Sequence, residues 1–143
     1  MSSLTLLAPG EPAFAAMVAS LQAAGLPVSD LNEGDAAYFA LSSGDAFGGL
    51  ATYGDVGLVR SLVVAADKRR CGAGHKLLTE LLDIARANGI RDLWLLTTSA
   101  EAFFAKHGFE KADRSAAPPA IAETSQFRDL CPATAALMHL PLA

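Results

Sequence analysis

The chain has 143 residues and a formal net charge of −4, with 52% hydrophobic and 18% charged residues. A chain of this length can bury a substantial core and most often forms one domain, which we place over residues 1–143. The composition excludes wholesale disorder. The negative net charge provides no overall attraction for nucleic acid or for an anionic membrane, so an anionic ligand would have to be bound locally.

The first half of the chain predicts a helix followed by a β-hairpin. Residues 11–24 form an amphipathic pattern in which Phe14, Met17, Val18 and Leu21 recur at helical spacing. Two short apolar runs, at residues 37–41 and 47–53, flank the polar sequence Ser-Ser-Gly-Asp and predict two paired strands. A glycine turn at residue 54 then leads to Leu58–Val64, which we expect to be a central strand.

The middle of the chain predicts a strand, a helix and a second strand. The helix begins at Gly74, ends at Asn88-Gly89, and carries one apolar stripe. The stripe consists of Leu77, Leu78, Leu81, Leu82 and Ala85. The following run, Leu93–Thr97, is a second buried strand, and the two strands that flank the helix should be parallel.

The last third of the chain predicts shorter elements. Ser99 is expected to cap a short helix that runs to His107 and ends at Gly108 in the left-handed conformation. A helical turn is expected near Ala120–Leu130, and a last strand near Ala135–Leu140.

Positive charge is concentrated in one segment, which contains Lys68, Arg69, Arg70, His75 and Lys76. The same segment carries the glycine motif Arg-x-x-Gly-x-Gly, which leads directly from a buried strand into a helix. Backbone N–H groups and the positive end of the helix converge there, and glycines at positions 72 and 74 permit positive φ and close approach of a ligand. The motif therefore predicts an anion site, although a tight turn is the alternative. ATP and NAD are disfavoured because neither of their phosphate-binding motifs is complete.

The two cysteines, Cys71 and Cys131, are far apart and belong to no C-x-x-C motif. We therefore expect neither a disulfide nor a zinc site, and no metal. No signal-peptide pattern and no apolar run long enough to span a bilayer is present. These features favour a cytoplasmic protein without a membrane partner.

The glycine motif resembles motif A of the GNAT superfamily, in which [Q/R]-x-x-G-x-[G/A] joins a strand to a helix. Residues 58–64 resemble that family's fourth strand, and Leu93–Thr98 resembles its fifth. The segment Ala102–Phe109 resembles the family signature that ends in K-x-G-F. The resemblance implies a mixed α/β fold with helices on both faces of a central sheet, which is splayed between its fourth and fifth strands.

The resemblance also implies acetyl-CoA as co-substrate. Leu62, Val63 and Val64 match the positions whose backbone pairs with the pantetheine arm as an added strand would. The pyrophosphate would be held by the glycine loop and the start of the helix. These residues are Arg69, Arg70, Cys71, Gly72, Ala73, Gly74 and His75, with Lys68 or Arg70 available to the adenosine phosphate.

The usual catalytic pattern of the family is incomplete in this chain. Many relatives use a tyrosine as the acid, and the matching position is Phe104, which cannot donate a proton. A thiolate is a tolerable leaving group that a nearby hydroxyl could protonate. Ser61 and Thr98 are the candidate catalytic hydroxyls.

Many relatives have a glutamate in the fourth strand, whereas this chain has Arg60 and Ser61 in the matching positions. An arginine suits a substrate carboxylate, phosphinate or arsenic oxyanion, and a surface ion pair is the alternative. Thr97 and Thr98 could orient the amine or the acyl group at the end of the fifth strand, and strand propensity is their alternative explanation. Ser61 completes this predicted substrate site.

Three segments resemble a narrower group, the arsenic-resistance and amino-acid N-acetyltransferases of bacteria. They are the fourth-strand sequence Leu58–Ser61, the pair Thr97-Thr98, and the tail from Ile121 to Ala135. That group implies acetylation of the α-amine of a small amino acid or of its arsenical or phosphinate analogue. Two alternatives remain, namely a coenzyme A-binding module without catalysis and a protein N-acetyltransferase. A homodimer is expected from the superfamily, with a small-molecule amine as the partner and no nucleic acid.

Overall fold

A computed structural model describes residues 4–7, 10–24, 36–41, 46–64, 72–97, 100–124 and 135–142, except for the side chain of Ser61. Its strands are β1 (Leu4–Leu7), β2 (Ala36–Leu41), β3 (Ala46–Tyr53), β4 (Val56–Val64), β5 (Asp92–Thr97), β6 (Glu110–Ala112) and β7 (Ala136–Pro141). Its helices are α1 (Pro12–Ala23), α2 (Ala73–Ala87), α3 (Glu101–Ala105) and α4 (Pro119–Ala122), with a 3₁₀ turn at Arg114–Ala116.

The strands form one mixed sheet in the order β1-β2-β3-β4-β5-β7-β6. Neighbouring strands are antiparallel except β4 and β5, which are parallel. The parallel pair is connected through α2, as the alternation of strand, helix and strand in the sequence predicted. Of the helices in the described residues, none is long and apolar enough to cross a membrane.

The two faces of the sheet carry separate apolar layers, because successive side chains of a strand point to opposite faces. On β3, Phe47 shares a buried cluster with Met17 and Leu21 of α1. Leu50, three residues further on, shares a cluster with Leu78 of α2. Helices α1 and α2 therefore cover opposite faces of the sheet.

The two shorter helices extend these layers. Ile121 of α4 clusters with Ala51, which points to the same face as Phe47. Phe104 of α3 clusters with Leu50 on the α2 face. Each face of the sheet is thus covered by one long helix and one short helix.

Most of the predicted elements are confirmed, with boundaries shifted by one to three residues. All five stripe residues of α2 are buried. Gly108 has φ of 95°, as predicted for a left-handed helix end. Helix α3 has Ala100 as its N-cap, and Ser99, the expected cap, lies outside the described residues. The helix expected near residues 120–130 is α4, which ends at Ala122; residues 125–134 lie outside the described residues.

Truncation of Leu81 to alanine is expected to lower the free energy of unfolding by about 2–5 kcal/mol. The side chain is fully buried, and it packs against β3 at Gly48, where an added Cβ would lie 3.0 Å from Leu81 Cδ1. Leu6→Ala is the matched control, because Leu6 is 62% exposed, and it should change the unfolding free energy by less than about 0.5 kcal/mol. Urea unfolding followed by circular dichroism measures both. Equal losses of unfolding free energy in the two variants would contradict the burial of Leu81 and the exposure of Leu6.

Candidate active site

The central feature of the site is a gap between β4 and β5. The two strands pair only from Val56 to Leu58 on β4, opposite Asp92 to Trp94 on β5. Beyond Leu58, β4 continues for six residues to Val64, and its ladder with β5 has ended. Strand β5 is paired along its whole length with β7 on its other edge. The main chain of Val59–Val64 therefore borders an opening in the sheet.

A β-bulge lies in β4 beside this opening. Phe47 pairs with Val63, whereas Gly49 pairs with Arg60, so two residues of β4 lie opposite the single residue Gly48. A bulge of this kind bends the strand and changes the face to which the following side chains point. Val63 accordingly belongs to the α1 layer, although regular alternation from Arg60 would have placed it on the α2 face.

Helix α2 begins near the end of β4, and its first three backbone N–H groups make no hydrogen bond within the helix. Gly72 is its N-cap, with φ of 77° and no side-chain cap. The first helical hydrogen bond runs from Lys76 N to Gly72 O at 3.0 Å. The N–H groups of Ala73, Gly74 and His75 precede that bond, so the positive end of the helix is available to an anion. Gly72 thus uses the positive φ that glycine permits at this position.

Gly74 does not use the positive φ that glycine permits. It lies within α2, it is buried, and φ is not positive there. A Cβ at this position would lie 3.2 Å from Val64 Cγ2 and 3.4 Å from the Phe103 ring. The glycine is therefore explained by close packing of α2 against β4 and α3.

Arg60 lies on the α1 face of β4 and is only 3% exposed. In the sheet, Gly49 pairs with Arg60 of β4 and with Tyr38 of β2. A Cβ on Gly49 would lie 2.8 Å from the Tyr38 ring, so this ring covers the glycine. The Arg60 guanidinium carbon is 5.9 Å from the centre of the same ring, within range of a cation–π contact. The surface position assumed in the alternative explanation of Arg60 is thus wrong.

Sequence analysis did not select Tyr38. The signal that could have found it is the Gly48-Gly49 pair in a strand, because glycine in a strand often marks the close approach of another group.

The remaining predicted residues have different outcomes. The Thr97 hydroxyl accepts a hydrogen bond from Ala100 N at 3.0 Å, which makes it a local cap before α3. Phe104 is 5% exposed and packs edge-to-face against Phe103 and Phe109, so it is a core residue.

Several candidates lie outside the described residues, or have side chains that do. These are Thr98, Lys68, Arg69, Arg70, Cys71 and the side chain of Ser61.

A contact that the sequence did not indicate joins the start of α2 to the end of α3. His75 Nδ1 lies 2.7 Å from His107 Nε2, and the two rings are 4.8 Å apart. The two residues are 32 positions apart in the chain, so no local spacing could have predicted the pair. Nowhere in the described part of the chain do three or more His, Cys, Asp or Glu side chains gather as a metal site would require.

A family model described as an acetyltransferase (GNAT) domain matches residues 33–111, which is more than half of the chain. The chain belongs to the GNAT acetyltransferase family. The splayed mixed sheet with helices on both faces, predicted from the resemblance, is confirmed. No curated protein sequence matches the chain.

Solved structures share this GNAT fold. N-acetylglutamate synthase from Neisseria gonorrhoeae, complexed with coenzyme A and N-acetyl-glutamate, matches with a TM-score of 0.75 and 20% identity. The match covers 100% of this chain and 36% of that one, so this chain spans only about a third of the synthase. Tetrahymena GCN5 matches with a TM-score of 0.75 and 16% identity, covering 98% and 96% of the two chains. An aminoglycoside 6'-N-acetyltransferase complexed with coenzyme A has a TM-score of 0.71, 13% identity, and coverage of 98% and 97%.

Replacement of Gly72 by alanine is expected to lower the free energy of unfolding by about 1–2 kcal/mol, because a Cβ is unfavourable at positive φ. No atom lies within 4 Å of the position that the Cβ would take, so the loss is conformational rather than steric. Gly72→Asn is the matched variant and should lose less, since asparagine tolerates the left-handed region. Thermal and urea unfolding measure both. An alanine variant as stable as the parent would contradict the left-handed N-cap.

Proposed function

We propose that this GNAT domain transfers the acetyl group of acetyl-CoA to the α-amine of a small amino acid, or of an arsenical or phosphinate analogue of one, by direct transfer in a ternary complex. The observation that carries the proposal is that β4 parts from β5 beyond Leu58 and that the start of α2 packs against the end of this strand. The edge of β4 suits an amide-rich arm, and the start of α2 suits a diphosphate. CoA contains both groups.

The pantetheine arm would lie along the opening in the sheet. Its amides need hydrogen-bonding partners in an extended arrangement, and the edge of a strand supplies them. Leu62, Val63 and Val64 belong to the segment of β4 that follows the end of its ladder with β5. Their side chains are buried or half-buried in the layers on either face, which leaves the main chain as the binding surface.

The diphosphate would bind at the start of α2. Three backbone N–H groups, those of Ala73, Gly74 and His75, precede the first helical hydrogen bond. The positive end of a helix of 15 residues adds a favourable potential for an anion. Arg69, Arg70 and Cys71 are included in this proposed cofactor site on sequence grounds.

The acceptor site is proposed on the opposite face of β4, at Arg60. A guanidinium keeps its charge at all physiological pH values, and its attraction for an anion is stronger where water is excluded. The near-complete burial of Arg60 beside Tyr38 meets that condition. The N-acetylglutamate synthase of similar fold was solved with N-acetyl-glutamate, an acylated amino acid that carries carboxylates. This supports an anionic amino acid as the acceptor here.

Acetyl-CoA supplies the activated thioester. Transfer forms the C–N bond of the product amide and breaks the C–S bond, while the amine loses a proton and the sulfur gains one. Phe104 cannot take part, because it lacks a hydroxyl and is packed in the core. We propose that hydroxyls at Ser61 and Thr98 assist the proton transfer, with Thr97 placing the following segment through its bond to Ala100.

A thiol-release assay tests the proposed reaction. Acetyl-CoA would be offered with a panel of amino acids, their phosphinate and arsenical analogues, and simple amines without a second charge. We expect free CoA and the N-acetylated product to accumulate fastest with acidic amino acids or oxyanion analogues. Binding of acetyl-CoA without turnover of any amine would instead identify a CoA-binding module, which the core position of Phe104 permits.

Substitution of Arg60 by alanine should raise KM for the anionic amine by about tenfold or more, because a charge-assisted contact is lost. The affinity for acetyl-CoA should stay unchanged, since Arg60 faces the α1 layer. Arg86→Ala is the matched control, because Arg86 is 51% exposed and pairs with Asp83 on the outer face of α2. Steady-state kinetics with a fixed saturating acetyl-CoA concentration measure both. An unchanged KM in the Arg60 variant would exclude Arg60 from the acceptor site.

The proposal also includes a homodimer in the cytoplasm. Its support is the resemblance to a superfamily in which dimers are common. Light scattering of the purified chain measures the oligomeric state directly.

A further inference from the structure

Three side chains from different elements lie next to one another in the α1 layer: Phe14 of α1, Tyr38 of β2 and Arg60 of β4. The ring centres of Phe14 and Tyr38 are 6.0 Å apart with the planes at 90°, an edge-to-face contact. The Arg60 guanidinium carbon lies 5.9 Å from the centre of the Tyr38 ring. Tyr38 is 4% exposed and Arg60 is 3% exposed, so their contact is shielded from water. The tyrosine ring therefore joins α1 to the arginine proposed for the acceptor site.

The contact between Tyr38 and Arg60 crosses a whole strand. Strand β3 lies between β2 and β4, so two strand spacings, about 10 Å, separate the main chains of the two residues. The residue between them is Gly49, which pairs with both. A Cβ there would lie 2.8 Å from Tyr38 Cδ1 and Cε1, too close for carbon atoms to pack. The ring thus occupies the space of the missing side chain, and the glycine allows it to reach the arginine.

The described surroundings of the Tyr38 ring are apolar. Helix α1 has no acidic or basic side chain between Pro12 and Ala23. The buried cluster that contains Tyr38 consists otherwise of Leu7, Met17, Leu21, Ala40, Phe47 and Val63. In such surroundings, the attraction between a cation and the face of an aromatic ring is stronger than at an exposed site. The ring is therefore placed where it can act on the guanidinium.

An aromatic ring suits an arginine whose charge is reserved for a ligand. The arginine side chain is flexible, and a binding site that is ordered beforehand loses less entropy when its ligand arrives. The ring attracts the guanidinium through its quadrupole and leaves the net positive charge intact. A carboxylate in the position of the ring would neutralise that charge and compete with an acidic group of the acceptor.

We propose that Tyr38 is a positioning residue for the acceptor, which acts by holding the Arg60 guanidinium in the orientation that binds an anionic group of the amine substrate. Phe14 supports the ring from α1. The inference rests on the proposed function and adds Tyr38, through Arg60, to the acceptor site. Tyr38 is then a determinant of specificity for charge, because it affects anionic acceptors and has no effect on uncharged ones.

Steady-state kinetics of the whole chain at saturating acetyl-CoA test the proposal with two probes. L-glutamate is the anionic probe, and glutamate diamide keeps the α-amine and similar size but lacks both negative charges. Tyr38→Leu should raise KM for glutamate by about fivefold to twentyfold, with kcat close to the parent value. The kcat/KM for the diamide should stay within about twofold of the parent. A general disturbance of the core would instead affect both probes.

Conservative replacements separate the charge effect from packing. Tyr38→Phe keeps the ring and should keep KM for glutamate near the parent value. Phenylalanines with increasing numbers of ring fluorine atoms, introduced at position 38, keep the shape of the ring and weaken the negative charge of its face. KM for glutamate should therefore rise with each added fluorine. This series remains informative even if Tyr38→Leu fails to fold.

Tyr53→Leu is the matched control, because Tyr53 is the other tyrosine of the chain and packs against the separate cluster of Leu58, Trp94 and Ile121. Its kinetics with both probes should match those of the parent. In the Arg60→Ala background, Tyr38→Leu should cause no further rise of KM, since Tyr38 acts through Arg60.

Three results would each overturn the inference. They are equal losses with glutamate and the diamide in Tyr38→Leu, a KM that is independent of ring fluorination, and a full additional effect of Tyr38→Leu in the Arg60→Ala background. In all three cases the parent chain still acetylates glutamate, so the proposed function stands. If the parent chain acetylates neither probe, the proposed function fails for this class of acceptor, and the inference fails with it.

Discussion

The candidate site depends on how little β4 and β5 pair. Strand β5 is fully paired with β7, so its position in the sheet is fixed, and β4 joins it only as far as Leu58. Beyond Leu58 the backbone of β4 no longer forms a ladder with β5 and borders an opening. In the proposed complex, an extended, amide-containing ligand would pair with this edge as an added strand would. The geometry of the sheet would therefore favour this class of ligand before any particular side chain contributes.

The two proposed substrates approach β4 from opposite layers. The start of α2, with Gly74 packed on Val64 and Phe103, belongs to one layer. Arg60 and Tyr38 belong to the other, beneath α1. The opening connects the two layers, so a thioester from one side and an amine from the other can meet within the sheet. Because the layers have separate apolar clusters, acceptor preference can change on the α1 side while the cofactor side keeps its packing.

The sequence predicted the elements with strong periodicity or glycine signals, namely α1, the β2–β3 hairpin, β4, α2 and β5. It missed β1 and β6, which are strands of three or four residues at the edges of the sheet and contain no clear alternation. Glycine at position 72 permits a left-handed conformation, and that part of the motif can be interpreted from the sequence because the conformation is local. The packing of Gly74, the burial of Arg60 and the histidine pair could not be predicted, because their surroundings come from distant parts of the chain. Phe103 and Tyr38, which explain them, lie 29 and 22 residues away from Gly74 and Arg60 respectively.

The bulge in β4 also has a consequence for chain length. Two residues, Ser61 and Leu62, lie opposite Gly48, and the regular ladder resumes beyond them with Val63 in the α1 layer and Val64 against Gly74. Deletion of either residue would restore a regular ladder with Val63 still opposite Phe47, so both valines would keep their layers. The packing of the two layers therefore does not require the extra residue, whose effect is a local bend of β4 beside the opening. Relatives with one residue fewer at this point should keep both apolar layers and differ in the shape of the opening.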